Sequence, residues 1–205
     1  MLLVALTGAI ASGKTIAAQV FQELGCCVHQ ADQTAHELML PQMSAWKAIV
    51  NHFGKEILNP DSTIDRRKLG AIVFAQPDER RFMDNLIHPL VMARKKEIIA
   101  SLRQAKDYNI FISEAALTIE AGFIDFFDKV VVTDCPQEIL IRRLRERDHL
   151  SHQEAMQRIE SQLSPEIKRR HADYIIDTSG TIQDTVEQTE RTYRYLIQDH
   201  QMLYG

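Results

Sequence analysis

What the chain has little of narrows its class first. Its 205 residues hold three cysteines, Cys26 and Cys27 adjacent and Cys135 far away, a spacing that suits neither a zinc site nor a disulfide framework and points to a reducing compartment. No apolar run approaches the length that crosses a bilayer, and the opening Met1-Leu2-Leu3-Val4 has no basic front, so it is expected to be a strand rather than a leader. An excess of basic residues is also missing: 24 Lys and Arg stand against 28 Asp and Glu, a net charge of -4, which argues against general binding to nucleic acid or an anionic membrane surface. Repeats and low-complexity tracts do not occur. Glycine is sparse, eight in all, so the place where two of them lie five apart with a lysine directly after the second stands out.

That place is Gly8-Ala9-Ile10-Ala11-Ser12-Gly13-Lys14-Thr15, directly behind the apolar run Leu2-Leu3-Val4-Ala5-Leu6. It fits G-x-x-x-x-G-K-[ST], the phosphate-binding P-loop. A glycine-bracketed turn lets successive backbone N–H groups point inward, and the start of the following helix adds its positive dipole end, so the loop becomes an anion cradle. Lys14 is then placed to reach the β- and γ-phosphates of a nucleoside triphosphate, and the Thr15 hydroxyl to ligate Mg²⁺. The context agrees on both sides: a buried-type strand precedes, and Ile16, Ala17, Val20, Phe21 and Leu24 recur at helical spacing up to a C-cap at Gly25.

Further along, Cys26-Cys27-Val28-His29 reads as a second strand with Asp32 just beyond its carboxyl end, where open α/β sheets bind ligands. Residues 36–106 change character. Ala45-Trp46, Ile49-Val50 and Phe53, then Leu69, Ile72 and Val73, then Phe82, Leu86 and Ile87 repeat at helical spacing, which predicts a helical insertion. Turn chemistry punctuates it at Phe53-Gly54, Asn59-Pro60-Asp61-Ser62 and Gln76-Pro77-Asp78, and His88-Pro89 is expected to stop or bend one helix and start another. The core resumes with strands over 109–114, ending at Glu114, and 129–133. Asp134-Cys135-Pro136 then opens an arginine-crowded helix.

Arg142, Arg143, Arg145, Arg147, Arg158, Lys168, Arg169 and Arg170 form a basic island in an acidic chain. Ser151 and Glu154 make a capping box there, so a new helix is predicted from about His152, and two short helices around a turn would make a lid. A last strand over 173–177 and a long amphipathic helix close the chain. The expected fold class is α/β, a P-loop NTPase-type five-stranded parallel sheet with helices on both faces, a helical substrate-binding insertion and a lid. Its core would span 1–35, 107–142 and 171–205, its insertion 36–106 and its lid 143–170. Two excursions flanking a phosphate loop suggest a kinase that closes over two substrates.

The chain resembles the bacterial dephospho-coenzyme A kinases. The resemblance rests on residues 5–15, on Ala31-Asp32, on Asp65-Arg66 with Leu69 and Phe74, on His88-Pro89-Leu90-Val91, on Leu117 with Glu120, on Arg143, Arg147-Asp148 and Gln162, and on Ala172-Asp173. It implies ATP-dependent phosphorylation of the ribose 3′-hydroxyl of dephospho-CoA, with ATP as donor, Mg²⁺ as metal, small-molecule substrates, and neither nucleic acid nor membrane as partner. A cytoplasmic enzyme acting as a monomer or weak homo-oligomer is the corresponding expectation. Departures from the family pattern are Ala9 and Ala11 for two loop glycines, Gln30 for the first acid of its Asp-Ala-Asp, and Ala116, Thr118 and Thr178 for its proline, leucine and asparagine.

On this resemblance the catalytic candidates are Asp32, as the base that accepts the hydroxyl proton, Lys14, Arg143 and Arg147. An aspartate after a strand also commonly caps the helix that follows. The nucleotide would lie on Gly8 to Thr15, the metal on Thr15 with Glu114 holding its water shell, and the acceptor on Asp32, Arg66, Arg81, His88 and Glu120. The main alternative is a nucleoside monophosphate kinase on the same scaffold, whose acceptor insertion would be more compact than residues 36–106. A GTPase-like switch is excluded: Asp177-Thr178-Ser179-Gly180 spells D-x-x-G too late in the chain, and no Asn-Lys-x-Asp occurs.

Overall fold

The computed structural model describes residues Met1–Gly205, apart from the side chain of Phe74, which lies outside the described residues. In chain order the elements are β1 (Leu2–Gly8), α1 (Lys14–Glu23), β2 (Cys27–Gln30), α2 (Ala31–Leu38), α3 (Ser44–Phe53), α4 (Arg66–Ala75), α5 (Pro77–Ala105), β3 (Ile110–Glu114), β4 (Lys129–Asp134), α6 (Gln137–Asp148), α7 (His152–Glu160), α8 (Pro165–Arg170), β5 (Tyr174–Asp177) and α9 (Ile182–Tyr204). They divide into two compact units, Met1–Gln30 with Leu102–Gly205, and Ala31–Ser101.

The first unit holds a sheet with strand order β2-β3-β1-β4-β5, every neighbouring pair parallel. β1 lies in the middle, and all seven of its residues are buried, as a strand covered on both faces requires. Leu2, Val4 and Leu6 share one face with Ile110, Ile112, Val131 and Ile176 and meet Phe21 of α1 and Leu196 of α9. The alternate residues Leu3, Ala5, Phe111, Val130 and Val132 are buried as well. At about 25 cal/mol per Å² of apolar surface, such two-sided burial is the main force that fixes the sheet.

Register places the chemistry. Leu6 pairs with Glu114 and Gly8 with Thr133, so the phosphate loop leaves the sheet between the carboxyl ends of β3 and β4. α1 ends in a Schellman motif, Gly25 at φ 90° donating to Gln22 while Cys26 donates to Phe21, and this turns the chain back into β2. Beyond β4, α6 and α7 pack Leu140, Leu144, Ala155 and Ile159 around Ala9, with Ile10 and Ala11 beside them. The methyl of Ala9 therefore belongs to an apolar cluster. The Ser151–Glu154 capping box forms as the spacing predicts, with Ser151 Oγ accepting from Glu154 N and Glu154 accepting from Ser151 N. The predicted pair of helices is joined by a third, α8, started by Pro165 and capped by Ser164.

In the second unit Ala45, Ile49, Ile57, Ile64 and Leu69 form the core, with Trp46, Phe53, Ile72, Leu86 and Ile87 packed against it. The Asn59–Ser62 turn closes a Leu58–Ile64 bridge, Asp61 accepts from Thr63, and Asp65 caps α4 by accepting from Arg67 and Lys68. One expectation fails here: His88-Pro89 does not separate two helices, because α5 runs unbroken from Pro77 to Ala105. Pro89 takes one N–H out of the helix, a loss that flanking turns over so long an element can absorb.

Candidate active site

Gly8 and Gly13 shape the loop. Gly13 caps α1 at φ 85° with no side chain to satisfy the helix's first N–H groups, which leaves these donors for an anion. A Cβ on Gly8 would sit 2.4 Å from the Thr133 carbonyl oxygen, so strand β4 admits only glycine there. Ala11 adopts φ 62°, a left-handed conformation that favours glycine. Lys14 folds back over the loop, its Nζ donating to Gly8 O at 3.1 Å and Ala9 O at 2.9 Å.

Long-range ties hold this loop. Ser12 Oγ lies 2.6 Å from Thr133 Oγ1, Ile10 N donates to Gln162 Oε1 at 2.9 Å, and Arg143 Nη1 donates to Ala11 O at 3.3 Å. Arg143 also donates from Nη2 to Thr178 O at 2.6 Å, and Thr178 in turn reaches Ser12. Thus Arg143, predicted as a lid residue, stands against the phosphate loop.

Thr15 Oγ1 donates to Glu114 Oε1 at 3.2 Å. The pair offers two hard oxygen donors beside the cradle, which fits Mg²⁺, a cation that takes few protein ligands and fills its shell with phosphate and water. No cluster of three or more His, Cys, Asp or Glu able to hold a metal occurs among the described residues. A cavity of about 700 Å³ opens at the carboxyl ends of β4 and β5, bordered by Asp134, Pro136, Gln137, Gln162, Asp177 and Ser179.

In the helical unit, Asp32 is exposed in the first turn of α2, two residues beyond the end of β2. Arg66 at the start of α4 lies against the His36 ring, with Nη1 3.4 Å from both ring nitrogens. Burial lowers the His36 pKa first, the Arg66 charge lowers it further, and Asp32 opposes them, so Asp32, His36 and Arg66 act on one another. Sequence reasoning missed His36, although its i,i+4 spacing from Asp32 carries the signal.

The other predicted residues each have a partner of their own. Arg81 is paired with Asp78 on the exposed face of α5, and His88 stands 3.8 Å from Asp84 on the same helix. Arg147 is bound in a fork to Asp148 at 2.8 and 2.9 Å, where Arg158 joins it, and this arrangement lowers the Asp148 pKa. Glu120 forms a 2.7 Å ion pair with the fully buried Lys168 and accepts from Leu163 N, while its Oε2 has no hydrogen-bond partner. Lys168 and Gln162 had no assigned role; Gln162 was visible only as part of the lid series.

Comparison with known proteins agrees with this geometry. The family model described as dephospho-CoA kinase matches residues 2–184. A dephospho-CoA kinase of Geobacter metallireducens is 39% identical over 97% of this chain and 98% of its own. The solved dephospho-CoA kinase from Campylobacter jejuni is 28% identical, covers 95% of this chain and 96% of its own, and superposes with a TM-score of 0.69. A solved structure from Thermus thermophilus shares the fold at TM-score 0.80 and 24% identity, covering 100% of this chain and 98% of its own. Loop, sheet order and matched length together place the chain: it belongs to the dephospho-CoA kinase family.

Proposed function

We propose that Asp32 is the general base in the reaction that family membership gives this chain, transfer of the γ-phosphoryl group of ATP to the ribose 3′-hydroxyl of dephospho-CoA, the last step of coenzyme A biosynthesis. The observation that carries this reading is the family match across residues 2–184 together with an intact loop in which Lys14 and Thr15 stand at its motif positions. A ribose hydroxyl is a poor nucleophile until a carboxylate within hydrogen-bond reach accepts its proton, and Asp32 matches the acid to which the family resemblance assigns that role.

The loop from Gly8 to Thr15, with the Gly13 amide, and the Lys14 ammonium hold the triphosphate of ATP. Thr15 Oγ1 and, through water, Glu114 would hold Mg²⁺, which when bound neutralises charge on the β- and γ-phosphates. Arg143 and Arg147 neutralise the charge that builds on the transferring group. For Arg147 this means exchanging Asp148 for phosphate, a change that a closing lid provides. Arg66, Arg81 and His88 meet the pyrophosphate and pantetheine arm of the acceptor. Glu120, whose Oε2 is buried without a hydrogen-bond partner, is the acid that the resemblance places on the acceptor.

No helix among the described residues is long and apolar enough to cross a membrane. A cytoplasmic enzyme that takes only ATP and dephospho-CoA, as a monomer or weak homo-oligomer, completes the reading. ATP consumption measured with dephospho-CoA, with AMP, with UMP and without acceptor tests it. Turnover should depend on dephospho-CoA; preference for AMP or equal turnover without acceptor would overturn it.

A further inference from the structure

We infer that Thr178 is the positioning residue that aims the phosphate-loop amide of Gly13 at the nucleotide. The inference rests on the loop binding ATP as proposed above.

Thr178 follows β5 and is buried, 1% exposed. Its own N–H donates to the Asp134 carbonyl at 2.8 Å, which ties it to the end of β4. Its Oγ1 donates to Ser12 O at 2.9 Å, with the Asp134 carbonyl at 3.2 Å as the longer alternative for its single proton. The same oxygen accepts from Arg143 Nη1 at 3.3 Å, and the Thr178 carbonyl accepts from Nη2 at 2.6 Å. Arg143 then reaches the Ala11 carbonyl. Two consecutive loop carbonyls, those of Ala11 and Ser12, are therefore held by one threonine and the arginine that it seats.

The consequence follows from peptide geometry. No peptide among the described residues is cis, so each N–H points opposite to the carbonyl of its own peptide unit. Holding Ser12 C=O toward Thr178 turns Gly13 N–H away from Thr178 and into the cradle. Holding Ala11 C=O toward Arg143 turns Ser12 N–H back to Ala9 O, where it bonds at 3.1 Å and closes the turn. The Thr178 methyl lies where a Cβ on Gly13 would come within 3.3 Å of it, so glycine leaves room for it. A donor fixed before ATP arrives has no ordering to undergo on binding, and preorganised donors bind anions more tightly than mobile ones. The methyl of Ala11 makes this support more necessary: alanine at φ 62° is strained, and the carbonyl tie to Arg143 holds it there.

The test is Thr178→Val, which keeps shape and removes the hydroxyl, beside Thr178→Ser, which keeps the hydroxyl. Thr178→Ala replaces the valine variant if that chain does not fold, as thermal unfolding would show. ATP affinity is measured by calorimetry with Mg²⁺ and no acceptor, and KM and kcat are measured separately with dephospho-CoA. Thr178→Val should weaken ATP binding about tenfold and raise KM for ATP in step, with KM for dephospho-CoA within about twofold, and Thr178→Ser should restore most of the affinity. ATP affinity within twofold of the parent, or a serine variant as weak as the valine one, would overturn the inference. A parent chain that binds ATP yet fails to phosphorylate dephospho-CoA would instead overturn the proposed function, and the binding comparison would still decide the role of Thr178.

Discussion

The Thr15 hydroxyl and the Glu114 carboxylate meet at 3.2 Å, although they lie on the first helix and the third strand, 99 residues apart in sequence. β1 pairs with β3 so that Leu6 faces Glu114, and this register brings the strand-end acid to the phosphate loop. Glu114→Gln keeps the shape and removes the charge that would hold the metal's water shell. The Mg²⁺ concentration for half-maximal rate should rise about tenfold at saturating ATP, as loss of such outer partners does. Magnesium titrations that superpose for variant and parent would contradict this role for Glu114.

The Glu120–Lys168 pair makes a prediction about stability. Lys168 is fully buried, and losing Glu120 leaves it the Ala116 carbonyl, at 2.7 Å, but no carboxylate to balance its charge there. Glu120→Ala should cost about 3 kcal/mol in urea unfolding, because an uncompensated buried ammonium remains. Adding Lys168→Met should recover most of that loss. If the double variant were as unstable as the single one, the ion pair would not be the cause.

Lys95 on α5 is 3% exposed, and burial pushes its pKa from 10.5 down to about 8. The folded chain therefore loses this proton at lower pH than the unfolded chain. Between about pH 8 and 10.5 the unfolded state binds more protons, and the Lys95 contribution to stability rises with pH across that window and is flat below it. Lys95→Met should abolish this part of the slope and stabilise the protein at pH 7 by about 1–3 kcal/mol. Denaturant curves of the parent and variant from pH 7 to 10.5 measure it; parallel pH profiles would contradict it.

Much of the fold was legible because local pattern and burial agree. β1 and β3 are continuous apolar runs, and these are the central, two-sided strands of the sheet. The Gly25 cap, the Ser151 capping box and the Asp61 turn are decided by a few neighbouring residues, so spacing alone reveals them. His88-Pro89 misled because proline disfavours a helix locally, whereas the helix is held by residues such as Leu86, Ile87 and Leu90 packing on the second core. The ties within the site were not legible for a different reason: Thr178 reaches Ser12 across 166 residues and Gln162 reaches Ile10 across 152, and no periodicity records such a meeting. Arg143 and Arg147, four apart on one helix, look equivalent in sequence. Tertiary structure separates them, one against the loop and the other on Asp148.

The central claim is that Asp32 activates the acceptor hydroxyl while the loop holds the donor, and the two roles separate in one variant. In Asp32→Asn the side chain keeps its size and loses the ability to accept a proton. Pre-steady-state transfer from ATP to dephospho-CoA, measured with both substrates saturating, should slow about 10²-fold or more, while ATP affinity measured without acceptor stays within about twofold. A transfer rate equal to that of the parent would contradict the account.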